Sequence, residues 1–172
     1  MGRPDKNDAN DAEAICEAMG RPNMRFVKMK TVEQQDIQAI HRVRSELMSR
    51  RIAKVNQIRG LVAEYGLVAS KQVYALRKAL PLWLEDAENG LTDRFRHLLS
   101  ELWCDLNYLE ERICGLDAEI REMADTNPMA VRLQQLRGVG PLVATAFIAT
   151  FANGDQFTKG RQMAASIGLT PR

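Results

Sequence analysis

Nine apolar side chains, Phe95, Leu99, Leu102, Leu106, Leu109, Ile113, Leu116, Ile120 and Met123, recur at intervals alternating between four and three residues. A strand repeats every two residues, so this period belongs to a helix with one narrow apolar seam. Such a seam cannot remain in water and needs a partner. It predicts a helix over 91–126 that ends near Asp125-Thr126-Asn127-Pro128. The partner is a second long helix over 33–66. Thr31 and Gln34 fit a capping box at its start, and Glu33 and Asp36 suit the helix dipole there. Its stripe is Ile37, Ile40, Leu47, Val55, Ile58, Val62 and Tyr65, with Arg44 and Arg51 expected to snorkel and Gly66 to end it.

Charge agrees with pairing these two helices. Residues 32–66 carry six basic and four acidic groups, whereas 91–126 carry four and nine. At about 1.5 Å per residue each helix reaches about 50 Å, and an antiparallel arrangement, within one chain or across a dimer, sets the opposite charges together. The seam therefore reads as core and coil seam rather than a cofactor site. Between the helices, residues 67–90 form a mixed connector that caps the tip. Val73–Leu80 is predicted helical, Pro81 to start another turn, Leu82, Trp83 and Leu84 to form an apolar plug, and Glu88-Asn89-Gly90 to break the chain.

Composition excludes several classes. The chain has 172 residues, 45% apolar and 27% charged, enough for a buried core. Cys16, Cys104 and Cys114 form no metal or disulfide pattern, and His41 and His97 stand alone as structural residues. The N-terminus lacks the apolar core of a signal peptide, and no run approaches a membrane span. The net charge of +2 is too small to imply nucleic acid, but residues 127–172 hold five basic groups and one acidic one.

That basic end contains LQQLRGVGPLVATAFI at 133–148. Leu133 and Leu136 are spaced as on one helix face, Gly138-Val139-Gly140 breaks the helix, and Pro141 opens a second one carrying Ala144, Phe147 and Ile148. Two short helices around a glycine turn resemble the helix-hairpin-helix modules that hold DNA backbones. The exposed amides of the turn and the second helix N-terminus suit a phosphate. The candidate DNA-binding residues are Gly138, Val139, Gly140, Arg132, Arg137, Lys159 and Arg161. A plain helical corner without ligand fits the same spacing. Further on, Asn153-Gly154-Asp155 reads as a turn, and Met163, Ala164 and Ile167 as one helical face ended by Gly168.

At the other end, DAEAICEAM follows a polar start, and Asp8 and Asp11 lie one helical turn apart. Two carboxylates so placed suit a divalent cation such as magnesium or manganese. From spacing alone the preferred reading is an N-cap and Asx turn that need no metal. Gly20-Arg21-Pro22-Asn23 ends this helix, and RFVKMK at 25–30 alternates like a short strand with no partner strand in the chain.

Three stretches together resemble one family. KNDANDAEAI at 6–15 resembles the Lys-x-Asp-x-x-Asp-Ala motif of the DEDD transposases of the IS one-ten and IS eleven-eleven insertion-sequence groups. RFVKMKTVEQQ at 25–35 is similar to the segment leading into their coiled coil. LRGVGPLVATAFIATFANGDQF and GRQMAASIGLTPR are similar to the start of their C-terminal transposase domain. The resemblance implies an all-α chain apart from its beginning: a long antiparallel coiled-coil helical hairpin, then a helix-hairpin-helix module, with a short remnant of a RuvC-like α/β domain in front. The corresponding divisions are 1–31, 32–126 and 127–172.

By the same resemblance, Asp8 and Asp11 are catalytic carboxylates and Mg²⁺ ligands, the last two of four. A serine nucleophile would follow the GLTPR segment, so Ser166 is not it. The implied partners are DNA, a guide RNA and further copies through the coiled coil, in a bacterial cytoplasm. With two carboxylates and the serine outside these 172 residues, the expectation is a transposase fragment, truncated at both ends and inactive alone. A non-catalytic DNA-binding and oligomerisation module is the alternative reading, and a purely structural coiled coil a third.

Overall fold

The computed structural model describes residues 8–22, 29–152 and 154–169. These form α1 (Asp8–Met19), α2 (Val32–Ala63), α3 (Val73–Glu85), α4 (Asp93–Thr126), α5 (Pro128–Gln134), α6 (Pro141–Phe151) and α7 (Gly160–Ser166), with no strand among the described residues. Most of the strand expected at 25–30 lies outside them, and Met29 and Lys30 are irregular.

Thr31 starts α2 through the capping box. Its hydroxyl accepts from the Gln34 amide at 3.2 Å, and Gln34 Oε1 accepts from the Thr31 amide at 3.1 Å. Beyond Ala63 the Leu67 amide donates to the Val62 carbonyl and the Gly66 amide to that of Ala63. This closure needs a left-handed residue, which Gly66 supplies at φ 75°.

α2 and α4 pack along each other in opposite directions. Arg44 reaches Asp117 at 2.5 Å, Arg51 reaches Glu110 at 3.4 Å and Lys54 reaches Asp105 at 2.9 Å, so numbers rise on one helix as they fall on the other. Arg44 and Arg51 therefore cross to carboxylates of the facing helix instead of snorkelling to bulk water. Six of the nine seam positions of α4 are buried: Leu99, Leu102, Leu106, Leu109, Ile113 and Ile120. At about 25 cal/mol per Å² of apolar surface, burying that seam is the main force holding the pair.

The core runs along this pair in three clusters. The tip cluster holds Val55, Ile58, Val62, Leu76, Leu80, Leu91, Leu99, Leu102 and Leu106. Leu47, Leu109 and Ile113 form the middle one. At the opposite end, the base, Ile37 and Ala124 meet Ala130, Ala144, Ile148 and Ala149.

The tip departs from its sequence reading in two ways. Pro81 lies inside α3 and starts no new turn. The ring removes one intrahelical hydrogen bond there, but Leu76 and Leu80, in the turns just before it, are fully buried, and that packing carries the helix past it. Leu82, expected in the plug, is 60% exposed, while Trp83 and Leu84 do pack on the tip cluster. The end of α3 is held by two side chains, Asn89, whose Nδ2 donates to the Trp83 carbonyl at 2.7 Å, and Arg96. Arg96 on α4 donates to the carbonyls of Trp83 at 3.1 Å, Leu84 at 3.0 Å and Asp86, and to Asn89 Oδ1 at 2.7 Å. Arg59 on α2 likewise donates to the carbonyls of Ser70 and Gln72.

Candidate nucleic-acid interface

The base carries the glycine turn. Asn127 ends α4 and caps α5, its Oδ1 accepting from the amides of Met129 at 3.0 Å and Ala130 at 3.2 Å. α5 stops at Gln134, so Leu136 lies outside the helix that its spacing suggested and is 58% exposed. The cause is Gly138, whose φ of 88° is left-handed and turns the chain before another helical turn can form. Val139 then packs inward on the base cluster. Gly140 is the N-cap of α6 and Pro141 its first residue.

Gly140 has no side chain to cap the helix, and none is supplied in its place. The first amides of α6 therefore keep their hydrogen-bonding capacity and the positive end of the helix dipole. A Cβ built on Gly140 meets nothing within 4 Å, so the space in front of the turn is open. Arg132 in the last turn of α5 and Arg137 beside Gly138 are both exposed.

α6 is seated by more than apolar contact. Ala144, Ile148 and Ala149 bury against Ile37, Ala124 and Ala130. The buried Gln34, whose oxygen already caps α2, donates from Nε2 to the Ile148 carbonyl at 3.0 Å. The Thr145 hydroxyl donates to the Pro141 carbonyl at 2.8 Å, and its oxygen lies 2.9 Å from His41 Nε2. With the hydroxyl proton so placed, His41 is the donor. Burial holds the His41 pKa below its ordinary value, and the nearby Arg44 adds to this. Sequence reasoning gave His41 no more than a structural role and passed over Thr145. No local pattern marks either, because their link joins positions 104 residues apart.

The remaining candidates are less gathered. Lys159 precedes α7 and Arg161 lies in its first turn, both exposed, and α7 packs against no other helix among the described residues. The structure therefore joins Arg132 and Arg137 to the glycine turn and leaves Lys159 and Arg161 on a separate element. α7 buries no side chain, and Ile167, expected on its inner face, follows the helix and is 51% exposed. The Ser166 hydroxyl donates to the Met163 carbonyl at 2.7 Å. Asp8 and Asp11 share the first turn of α1, both exposed, on a helix that also touches no other. No three potential metal-ligating side chains cluster among the described residues, and no helix there is long and apolar enough to cross a membrane.

Comparison with known proteins bears on this end of the chain most directly. The model of the transposase IS116/IS110/IS902 family matches residues 130–172, which include the glycine turn and α6. The transposase for insertion sequence element IS1111A of Coxiella burnetii is 42% identical over 170 residues, 99% of this chain and 47% of that protein. A probable family 20 transposase of Pseudomonas aeruginosa is 43% identical over 169 residues, 98% of this chain and 50% of its own. The transposase for IS1328 of Yersinia enterocolitica is 32% identical over 170 residues, 99% and 50% of the two chains. The chain thus spans about half the length of the curated relatives it matches. No solved structure matches it.

Proposed function

We propose that this chain, which belongs to the IS116/IS110/IS902 insertion-sequence transposases, is the part of such an enzyme that grips DNA backbone beside a helical spacer. In this reading α2 and α4 are a coiled-coil hairpin, and α5 and α6 are a helix-hairpin-helix mounted at its base. The observation that carries it is the uncapped N-terminus of α6 behind an open glycine turn, in a segment with five basic groups and one acidic group. Such a terminus takes a phosphate without reading a base. The native chain is expected to bind duplex DNA weakly and independently of sequence, with a shallow salt dependence because few phosphates are reached. Gly140→Val should fold, since the site of its side chain is open, yet should obstruct the approach of a backbone to the amides. Arg137→Ala should weaken binding less. If the native chain does not bind at low salt, or Gly140→Val binds as well as it does, the turn is a structural corner.

For the whole enzyme the reading is DNA transposition and recombination at an insertion sequence, in the bacterial cytoplasm, with a guide RNA as further partner. Residues 1–31 would close a RuvC-like domain, 32–126 would be the coiled coil and 127–172 would open the transposase domain. The boundary at 127 divides segments and not cores, since Ile37 and Ala124 share a cluster with Ala130 and Ile148. Self-association through the coiled coil is supported by apolar side chains left exposed on α2 and α4, Val43, Ile52, Leu98 and Tyr108. Light scattering of the native chain tests it, and a strictly monomeric mass refutes it.

Asp8 and Asp11 do not by themselves fit a magnesium site. Mg²⁺ requires near-octahedral oxygen ligation in fixed geometry, and two solvent-exposed carboxylates on one turn of α1 do not enclose it. The proposal for them is a share in a site completed by carboxylates from elsewhere in the transposase.

A further inference from the structure

α2 carries six basic residues, and five of them are engaged within the protein. Arg44, Arg51 and Lys54 pair with carboxylates of α4, Arg50 pairs with Glu46, and Arg59 holds two backbone carbonyls. Arg42 is the exception: exposed, with no ion pair or side-chain hydrogen bond among the described residues. It lines a shallow groove between α2 and α6 with Gln38, His41, Ser45, Ala146, Ala149 and Thr150. No carboxylate lines that groove. α6 has no charged residue at all, and Glu46, four residues along from Arg42, is already held by Arg50.

We propose that this groove is a second backbone contact for the duplex DNA gripped at the glycine turn, with Arg42 as its phosphate ligand. The proposal rests on the DNA reading of the turn given above. Geometry links the two places. The first N–H donor of α6 is Leu142, and the α6 residues that line the groove, Ala146, Ala149 and Thr150, follow it by four to eight residues, about 6–12 Å along the same helix at 1.5 Å per residue. One duplex can therefore meet the first amides of α6 at one end and Arg42 at the other. The charge pattern fits an anionic polymer: an unpaired guanidinium, hydroxyl and amide side chains around it, and alanines that let a backbone come close. A guanidinium suits phosphate because it offers two parallel N–H donors to two oxygens.

The experiment measures binding of the native chain to a mixed-sequence DNA duplex over a range of salt, beside Arg42→Ala, Arg112→Ala and Gly140→Val. Arg112→Ala makes the same change in net charge but lies on α4 over the ring of Tyr108, outside the groove. Arg42→Ala should bind roughly tenfold more weakly at low salt, about the loss of one charge-assisted phosphate contact, with a salt slope shallower by about one. Arg112→Ala should lose much less and keep its slope. If Arg42→Ala and Arg112→Ala behave alike while Gly140→Val loses binding, the groove is no contact and the turn still is. If Gly140→Val binds as the native chain does, the turn reading fails first and the groove proposal with it. A duplex RNA of the same sequence is the last arm: a loss in Arg42→Ala confined to RNA overturns the assignment to DNA.

Discussion

The tip and the base of the α2–α4 pair use the same residue type in opposite ways. At the tip, Arg59 and Arg96 turn inward and satisfy backbone carbonyls of the connector and the end of α3. At the base, Arg132 and Arg137 stay exposed near a helix end that no side chain caps, and Arg42 stays exposed in the groove between α2 and α6. A guanidinium that holds its own chain has few donors left for a ligand, whereas an unpaired one keeps all five. The tip is thus a closed structural cap, whereas the base keeps exposed guanidinium groups free for a ligand, although both rest on one pair of helices.

The strongest way to break this contrast is to remove what the regions share. Leu106→Glu places a carboxylate where the side chain is fully buried between α2 and α4. The cost should exceed about 4 kcal/mol, so helicity by circular dichroism and DNA binding should vanish together; retention of either would contradict the seam as common core. Arg96→Ala should separate the two regions. The Leu84 and Asp86 carbonyls at the end of α3 lose the Arg96 donor while Trp83 keeps Asn89, for about 2 kcal/mol of stability, read as a lower thermal midpoint with duplex affinity unchanged. A fall in affinity of the folded variant would show that the tip is no mere cap.

Gln34→Ala addresses the base from its supporting side. It removes the Gln34 half of the capping box, while the Thr31 hydroxyl still accepts from the residue 34 amide, and it removes the bond to the Ile148 carbonyl, for about 1–2 kcal/mol. Duplex affinity should fall at temperatures where the α2–α4 pair stays intact, which hydrogen exchange of α6 amides can follow.

The smallest effect concerns pH. The folded state lowers the His41 pKa, so it binds protons less readily than the unfolded chain. Above the ordinary value of 6.5 both states are neutral at His41 and nothing is lost. As pH falls below 6.5, the unfolded chain takes up the proton first and stability declines. His41→Gln should flatten that decline; an identical pH profile would remove His41 from the account.

The helices of the pair were legible because their signals are local. A seam repeating every seven residues, a capping box and a left-handed glycine can each be read within a few positions of themselves. The same reading broke α3 at Pro81, because the cost of the ring is local while the burial of Leu76 and Leu80 that outweighs it is tertiary. It carried the first helix of the glycine turn through Leu136, because periodicity does not say which of two compatible residues lies inside the last turn. The site was legible in its glycines and neighbouring arginines and illegible in its support. Gln34, His41 and Thr145 are ordinary polar residues until α6 lies across α2. Arg42 is distinctive only because the other α2 cations have partners in the fold.

The bond between Gln34 and Ile148 spans 114 positions, and that separation sets an order of assembly. The contacts between α3 and its flanking helices close shorter loops and carry less chain entropy, so the tip should form early. The first turns of α2 must wait for α6 to be synthesised, roughly ten seconds later at ordinary rates of elongation. Until then Gln34 lacks its Ile148 acceptor, and Ile37 has only its α4 and α5 neighbours in the cluster. The end last to be completed rests on the smaller cluster, largely of alanines, and should be the first to open in the finished molecule.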